Sequence, residues 1–148
     1  LRDVPFETFL AKLPECRRQC GDRAVLRAFH IYADNDRVAK QVAALREGDF
    51  GTFLRLVNES GHSSWEYLQN VIPAGYKEHQ EMGVTIAAAK HYLNGKGAVR
   101  VHGGGFAGTA QAFVPVEMLA DFKKNMEAIL GEGRCHVLSI RPEGGAVL

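Results

Sequence analysis

The stretch His102-Gly103-Gly104-Gly105-Phe106-Ala107-Gly108 restricts this chain more than any other part of it. It follows residues 98–102, which read as a short strand. It precedes residues 109–114, which read as a second strand ended by Pro115. Gly103, Gly105 and Gly108 meet the G-x-G-x-x-G spacing of dinucleotide-binding folds. That fingerprint needs a helix to open at its last glycine, because the pyrophosphate sits on the helix N-terminus. A β-like run closed by a proline leaves no room for such a helix, so the dinucleotide reading is rejected. Strand–loop–strand remains. Glycine has no Cβ, so the loop backbone can approach a ligand closely and adopt positive φ. Successive N–H groups can then converge on an anion, and a phosphate or a phosphoryl group in flight would suit them. A tight hairpin connection without ligand is the competing reading, and the residues alone leave both open.

Upstream of the loop the pattern is helical. Pro5 can open a helix carrying Phe6, Phe9, Leu10 and Leu13 on one stripe, and Pro14 is expected to end or kink it. Asp22 can cap a longer helix lined by Val25, Phe29 and Tyr32, then by Val38, Val42 and Leu45, and stopped by Gly48. Asp49 caps a third, with Phe50, Phe53, Leu54 and Val57 inward. After a mixed stretch over residues 60–76, Met82, Ile86, Ala89 and Leu93 mark a fourth, terminated by Asn94, Gly95 and Gly97. Beyond the two strands, residues 116–130 read as a fifth helix and residues 135–140 as a third strand. Residues 146–148 offer a fourth strand after a turn at 142–145. Helices first and a small sheet with one helix after them define an α+β fold. The sheet is expected to be antiparallel, with helices covering one face, in a single domain over residues 1–148.

Composition narrows the function. Hydrophobic residues make up 46% and charged residues 24%, the balance of a soluble globular protein. A net charge of +1 gives no field that favours nucleic acid or a membrane surface. No apolar run reaches the ~20 residues a membrane helix needs. Three cysteines, Cys16, Cys20 and Cys135, make an odd and widely spaced set, which reads as a reducing cytoplasm rather than a disulfide framework. Cys16 and Cys20 could begin a zinc site, but no second ligand pair follows, so no metal site is assigned. The chain opens on Leu1 and runs straight into helix-like sequence, which reads as part of a longer protein.

At the glycine loop the sequence resembles the third conserved motif of the galactokinases, in the GHMP kinase superfamily. The family reads roughly Ser-Arg-Met-Thr-Gly-Gly-Gly-Phe-Gly-Gly-Cys, and this chain reads Val99-Arg100-Val101-His102-Gly103-Gly104-Gly105-Phe106-Ala107-Gly108-Thr109. Arg27-Ala28-Phe29-His30 with Asp34-Asn35-Asp36-Arg37-Val38 is similar to the family's Arg-Ala-x-His…Glu-Asn-x-Arg-Val helix. Leu45 with Gly48-Asp49-Phe50 resembles the start of the next helix. Residues 58–64 with Tyr67 resemble a Met-x-x-Ser-His-x-Ser-Leu…Tyr segment. The departures are His102 for threonine, Ala107 for glycine, Gly61 between Ser60 and His62, and a divergent stretch over 69–81.

The resemblance implies the C-terminal, ferredoxin-like domain of a two-domain sugar kinase, with the N-terminal domain outside this chain. It implies ATP and Mg as cofactors, bound mainly by that N-terminal domain, and a sugar such as galactose as substrate. The catalytic aspartate and arginine would lie outside the chain too, so no catalytic residue is assigned here. The cleft-facing loop would be Gly103, Gly104, Gly105, Phe106, Ala107 and Gly108. Arg100, His102, Ser60, His62 and Ser63 are accessory candidates. Arg100 reads as an ordinary strand-surface arginine before a phosphate contact, and His102 as a turn histidine or a general base. Ser60, His62 and Ser63 read as cleft residues or helix-end caps. Asp34, Asp36 and Arg37 read as a solvated face or an ion pair. Two further functions compete with the kinase: a galactokinase-like sensor that binds sugar and ATP without turnover, suggested by His102 and Ala107, and an unrelated α+β binding domain whose loop is structural.

Overall fold

The computed structural model describes residues 1–106, 108–140 and 142–143. Helices α1 (Phe6–Ala11), α2 (Leu13–Cys20), α3 (Asp22–Arg46) and α4 (Phe50–Ser63) come first. A π-helical turn, Ser64–Leu68, and a long loop lead to α5 (Glu81–Leu93). Strands β1 (Ala98–His102) and β2 (Thr109–Phe113), a 3-10 turn at Val116–Met118 and α6 (Leu119–Leu130) complete the order. β1 and β2 pair antiparallel, with Arg100 opposite Gln111 and His102 opposite Thr109. The fold is therefore α+β, helices before a small antiparallel sheet, as the residue pattern implies.

Two boundaries have a clear local cause. Asp49 accepts a hydrogen bond from the Thr52 N–H at 2.9 Å and starts α4. Asn94 takes a left-handed conformation and ends α5. The helical run is broken at Lys12, just ahead of Pro14, as the residue pattern implies. Pro14 itself sits in the first turn of α2, where a missing N–H costs nothing, so the same proline that closes α1 also opens the next helix.

Two apolar clusters hold the domain. Val99 and Val101 of β1 pack with Met82, Ile86, Ala89 and Leu93 of α5 and with Phe122 and Met126 of α6. Phe9, Val25 and Ala28 form the second cluster, bordered by Leu13, Phe29 and Tyr32. Phe6 and Phe9 meet Phe29 and Tyr32 there, with ring centroids 5.1–6.1 Å apart. Not every apolar stripe is inward: Val38, Val42 and Leu45 on the second half of α3 are exposed.

The expected third strand is not a strand. Residues 135–140 follow α6 without strand pairing, and Val137, Leu138 and Ile140 are exposed. A β run needs a ladder partner, and among the described residues the sheet has two strands. The expected fourth strand at 146–148 lies outside the described residues, as do Gly144 and Gly145 of the turn expected before it.

Candidate functional site

The glycine loop closes the β1–β2 hairpin and is shaped from below. Gly103 (φ 66°), Gly105 (φ 77°) and Phe106 (φ 53°) all lie in the left-handed region, so the chain reverses sharply. The Phe106 N–H donates to the backbone oxygen of Asn70 at 2.7 Å. Asn70 Nδ2 donates to the Gly104 oxygen at 3.3 Å. Gly105 lies flat on Asn70: a Cβ there would stand 2.2 Å from the Asn70 oxygen. Gly104 is the opposite case. Its φ lies outside the left-handed region, and a Cβ on it would meet nothing within 4 Å. Ala107 lies outside the described residues.

Beside the loop runs a groove of about 480 Å³, bordered by Gly108 at one end and by Tyr76, His79, Glu81, Met82 and Thr85 along its wall. The Tyr76 and His79 rings meet edge to face at 5.4 Å. His79 Nδ1 stands 3.1 Å from Glu81 Oε1. Glu81's own backbone N–H, and after it His79, hold that carboxyl below its ordinary range. The wall thus sets an aromatic ring, a carboxylate and the Thr85 hydroxyl, which donates to the Glu81 backbone oxygen at 2.8 Å, near Gly108; the Phe106 and Gly108 N–H groups of the loop donate to the Asn70 and Gly105 oxygens. Among the described residues no group of three or more His, Cys, Asp or Glu stands together to hold a metal ion.

The accessory candidates do not all join this groove. Arg100 turns to the other side of β1, where its Nη1 reaches Ser60 Oγ and stands 3.8 Å from Asp34 Oδ2, while Nε donates to the Val101 oxygen. Ser60, fully buried, donates to Asp34 Oδ1 at 2.6 Å. Arg37 donates to that same oxygen at 2.8 Å, which makes Asp34 the hub of a clamp between α3, α4 and β1. Ser63 shares a 3.0 Å hydrogen bond with Nδ1 of His30, and His30 Nε2 lies 3.5 Å from Asp34. Burial pushes the His30 pKa below its ordinary value; Asp34 opposes that shift, and Arg100 and Arg37 add to it. Gly61, where the sequence departs from the galactokinase pattern, lies where α4 meets β1: a Cβ there would stand 3.1 Å from both Arg100 Cβ and the Val99 oxygen. His62 is exposed and stands 2.9 Å from Lys90 Nζ. His102 is exposed at the mouth of the loop.

Sequence reasoning missed Asn70, Tyr76, His79 and Thr85. Pro73 and Gly75 marked a loop, but nothing in the spacing shows that it folds back beside a hairpin some 30 residues on.

The hairpin and the helices packed on it make an α+β fold in which the end of a glycine-rich loop borders an aromatic and polar groove. No protein-family model matches the chain. The galactokinases of Mannheimia succiniciproducens and Glaesserella parasuis are each 31% identical to it over 124 residues, and that of Actinobacillus pleuropneumoniae is 30% identical. Each match covers 84% of this chain and 30% of the relative, so the chain spans under a third of the length of these proteins. The chain is galactokinase-like, related to those enzymes over most of its own residues.

Proposed function

We propose that this chain is the C-terminal domain of an ATP-dependent sugar kinase of the galactokinase type, acting on galactose or a related sugar. Its glycine loop is the wall of the cleft that faces the transferred phosphoryl group. The observation that carries this reading is Gly104. Neither crowding nor backbone conformation demands a glycine there. Close approach of a ligand does. Phosphoryl transfer asks for positioning and charge stabilisation more than covalent chemistry, and amides held in a fixed loop supply both without reorganising.

In this reading ATP and Mg are bound mainly by an N-terminal domain, which also brings the catalytic aspartate and arginine. The groove beside the loop fits substrate or nucleotide through Tyr76, Glu81 and Thr85. The test is a turnover assay on the natural protein that carries this chain, with galactose and Mg·ATP. Sugar-dependent ADP release and a sugar phosphate are expected there, and none from residues 1–148 alone. Tight binding of galactose and ATP with no ADP released would replace the kinase with a sensor.

A further inference from the structure

We propose that Asn70 is the positioning residue of the glycine loop, fixing through its side-chain donor the curvature that Gly103–Phe106 present to an anionic ligand. The functional half of this inference rests on the kinase reading above; the structural half does not.

Asn70 is 3% exposed and sits at the exit of the π-helical turn, directly after Gln69 in the left-handed conformation at φ 56°. Val71, the next residue, is 2% exposed in the main apolar cluster, so the backbone at Asn70 is anchored on both sides. From that fixed point three contacts reach the loop. The backbone oxygen accepts from Phe106, Nδ2 donates to Gly104, and Gly105 packs so closely that a Cβ on it would stand 2.2 Å from the Asn70 oxygen and 2.8 Å from Nδ2. These contacts fall on three successive loop residues, and Gly105 and Phe106 carry the left-handed φ values that turn the chain. A loop of glycines has many accessible shapes, and this platform selects one of them.

The side chain holds the loop through its donor alone. Asn70 Oδ1 is buried and has no hydrogen-bond partner among the described residues. Replacing the amide by the isosteric carboxyl therefore takes nothing from the acceptor side. Ionised, Asn70→Asp has no donor and sets a negative charge beside the Gly104 oxygen. Protonated, it recovers an O–H that can donate to that oxygen, and burial favours the protonated form. The loop of this variant should open when the carboxyl ionises and close again as pH falls. An ordinary packing defect would not reverse in that way.

The experiment follows the loop amides and the Phe106 N–H exchange rate by NMR in this chain, for Asn70, Asn70→Ala and Asn70→Asp across a pH series. In parallel, turnover and binding of a non-hydrolysable Mg-nucleotide are measured in the natural protein that contains it. Expected are shifted loop amides and at least tenfold faster Phe106 exchange in both variants, with the Asn70→Asp loop regaining the parent spectrum at low pH. A fall in kcat of at least tenfold, with KM changed much less, should accompany the open loop. If Asn70→Ala does not fold, Asn70→Asp carries the test alone through its reversal. Loop amides that stay at their parent positions in Asn70→Asp at every pH overturn the inference. So does a loop that moves while turnover keeps its parent value. A parent protein without any turnover would instead sink the kinase reading, and the pH reversal would still decide the role of Asn70.

Discussion

The two ends of β1 are held in opposite ways. At the Ala98–Arg100 end, Asn58 bridges the Gly97 oxygen and the Val99 N–H, while Arg100, Ser60, Arg37 and His30 converge on Asp34. Asp34 collects four partners there, and three elements share them. At the His102 end the chain leaves the sheet into a loop tied down by Asn70 from below and left open above. A buried network in which each member satisfies another is costly to break. Where that loop has spare space, as over Gly104, it is cheap to alter and can be given over to a ligand. One strand thus carries an end bound into a shared polar network and an end that opens into a loop with free space over Gly104; in the proposed kinase the second end is where changes cost function.

Asp34→Ala should show the first cost at its largest. It strips Arg37, Arg100 and Ser60 of a shared acceptor. Because Asp34 is about one-fifth exposed, the penalty sits below that of a fully buried pair, at about 2–4 kcal/mol. Calorimetry on residues 1–148 should register a fall in Tm of roughly 5–15 °C. An unchanged Tm would mean that the clamp is ornamental.

Gly105→Ala is expected to cost less, about 1–3 kcal/mol, because it puts a side chain on a left-handed backbone and against Asn70. The loss should be local: amides of residues 103–106 exchange faster while those of α5 keep their protection. Uniform loss of protection would show that the loop belongs to the core.

The pH dependence comes from His30. Its folded pKa is depressed below the ordinary 6.5, chiefly by burial. Above 6.5 the histidine is neutral in both states and contributes no slope. As pH falls below 6.5 the unfolded chain takes up a proton that the folded chain refuses, so stability drops by at most ~1.4 kcal/mol per pH unit until the folded pKa is reached. Denaturant titrations between pH 7 and 5 should show this loss, and His30→Gln should flatten it. A slope that persists in the variant would assign the titration to another group.

How much of this was legible in the residues depends on how far apart the interacting parts lie. The i, i+3, i+4 stripes of α4 and α5, the Asp49 cap and the Asn94 stop are local signals, and the helices form where those signals stand. The hairpin was legible too, because Pro115 and the glycines punctuate it. Pro14 announced the break after α1 but not the new helix it opens, because a proline marks a first turn and a last turn alike. The run over 135–140 has strand composition, but pairing is a tertiary fact and no partner lies beside it among the described residues. In the candidate site the loop announced itself by composition. The Asn70 platform did not, since its contacts reach across 34 residues and an asparagine before a valine carries no signal of its own. Arg100 and Ser60 looked like cleft candidates in one dimension and meet each other across 40 residues in three.

The smallest expected effect on stability belongs to Gly104→Val, and it tests the central claim most directly. The backbone there tolerates a side chain and nothing stands within 4 Å of its Cβ, so the Tm of residues 1–148 should move by no more than about 2 °C. In the natural protein that carries the chain, galactose phosphorylation should nevertheless fall at least tenfold, about 1.4 kcal/mol of transition-state stabilisation. Full turnover in a folded Gly104→Val protein would contradict the account and leave the loop as a turn between two strands.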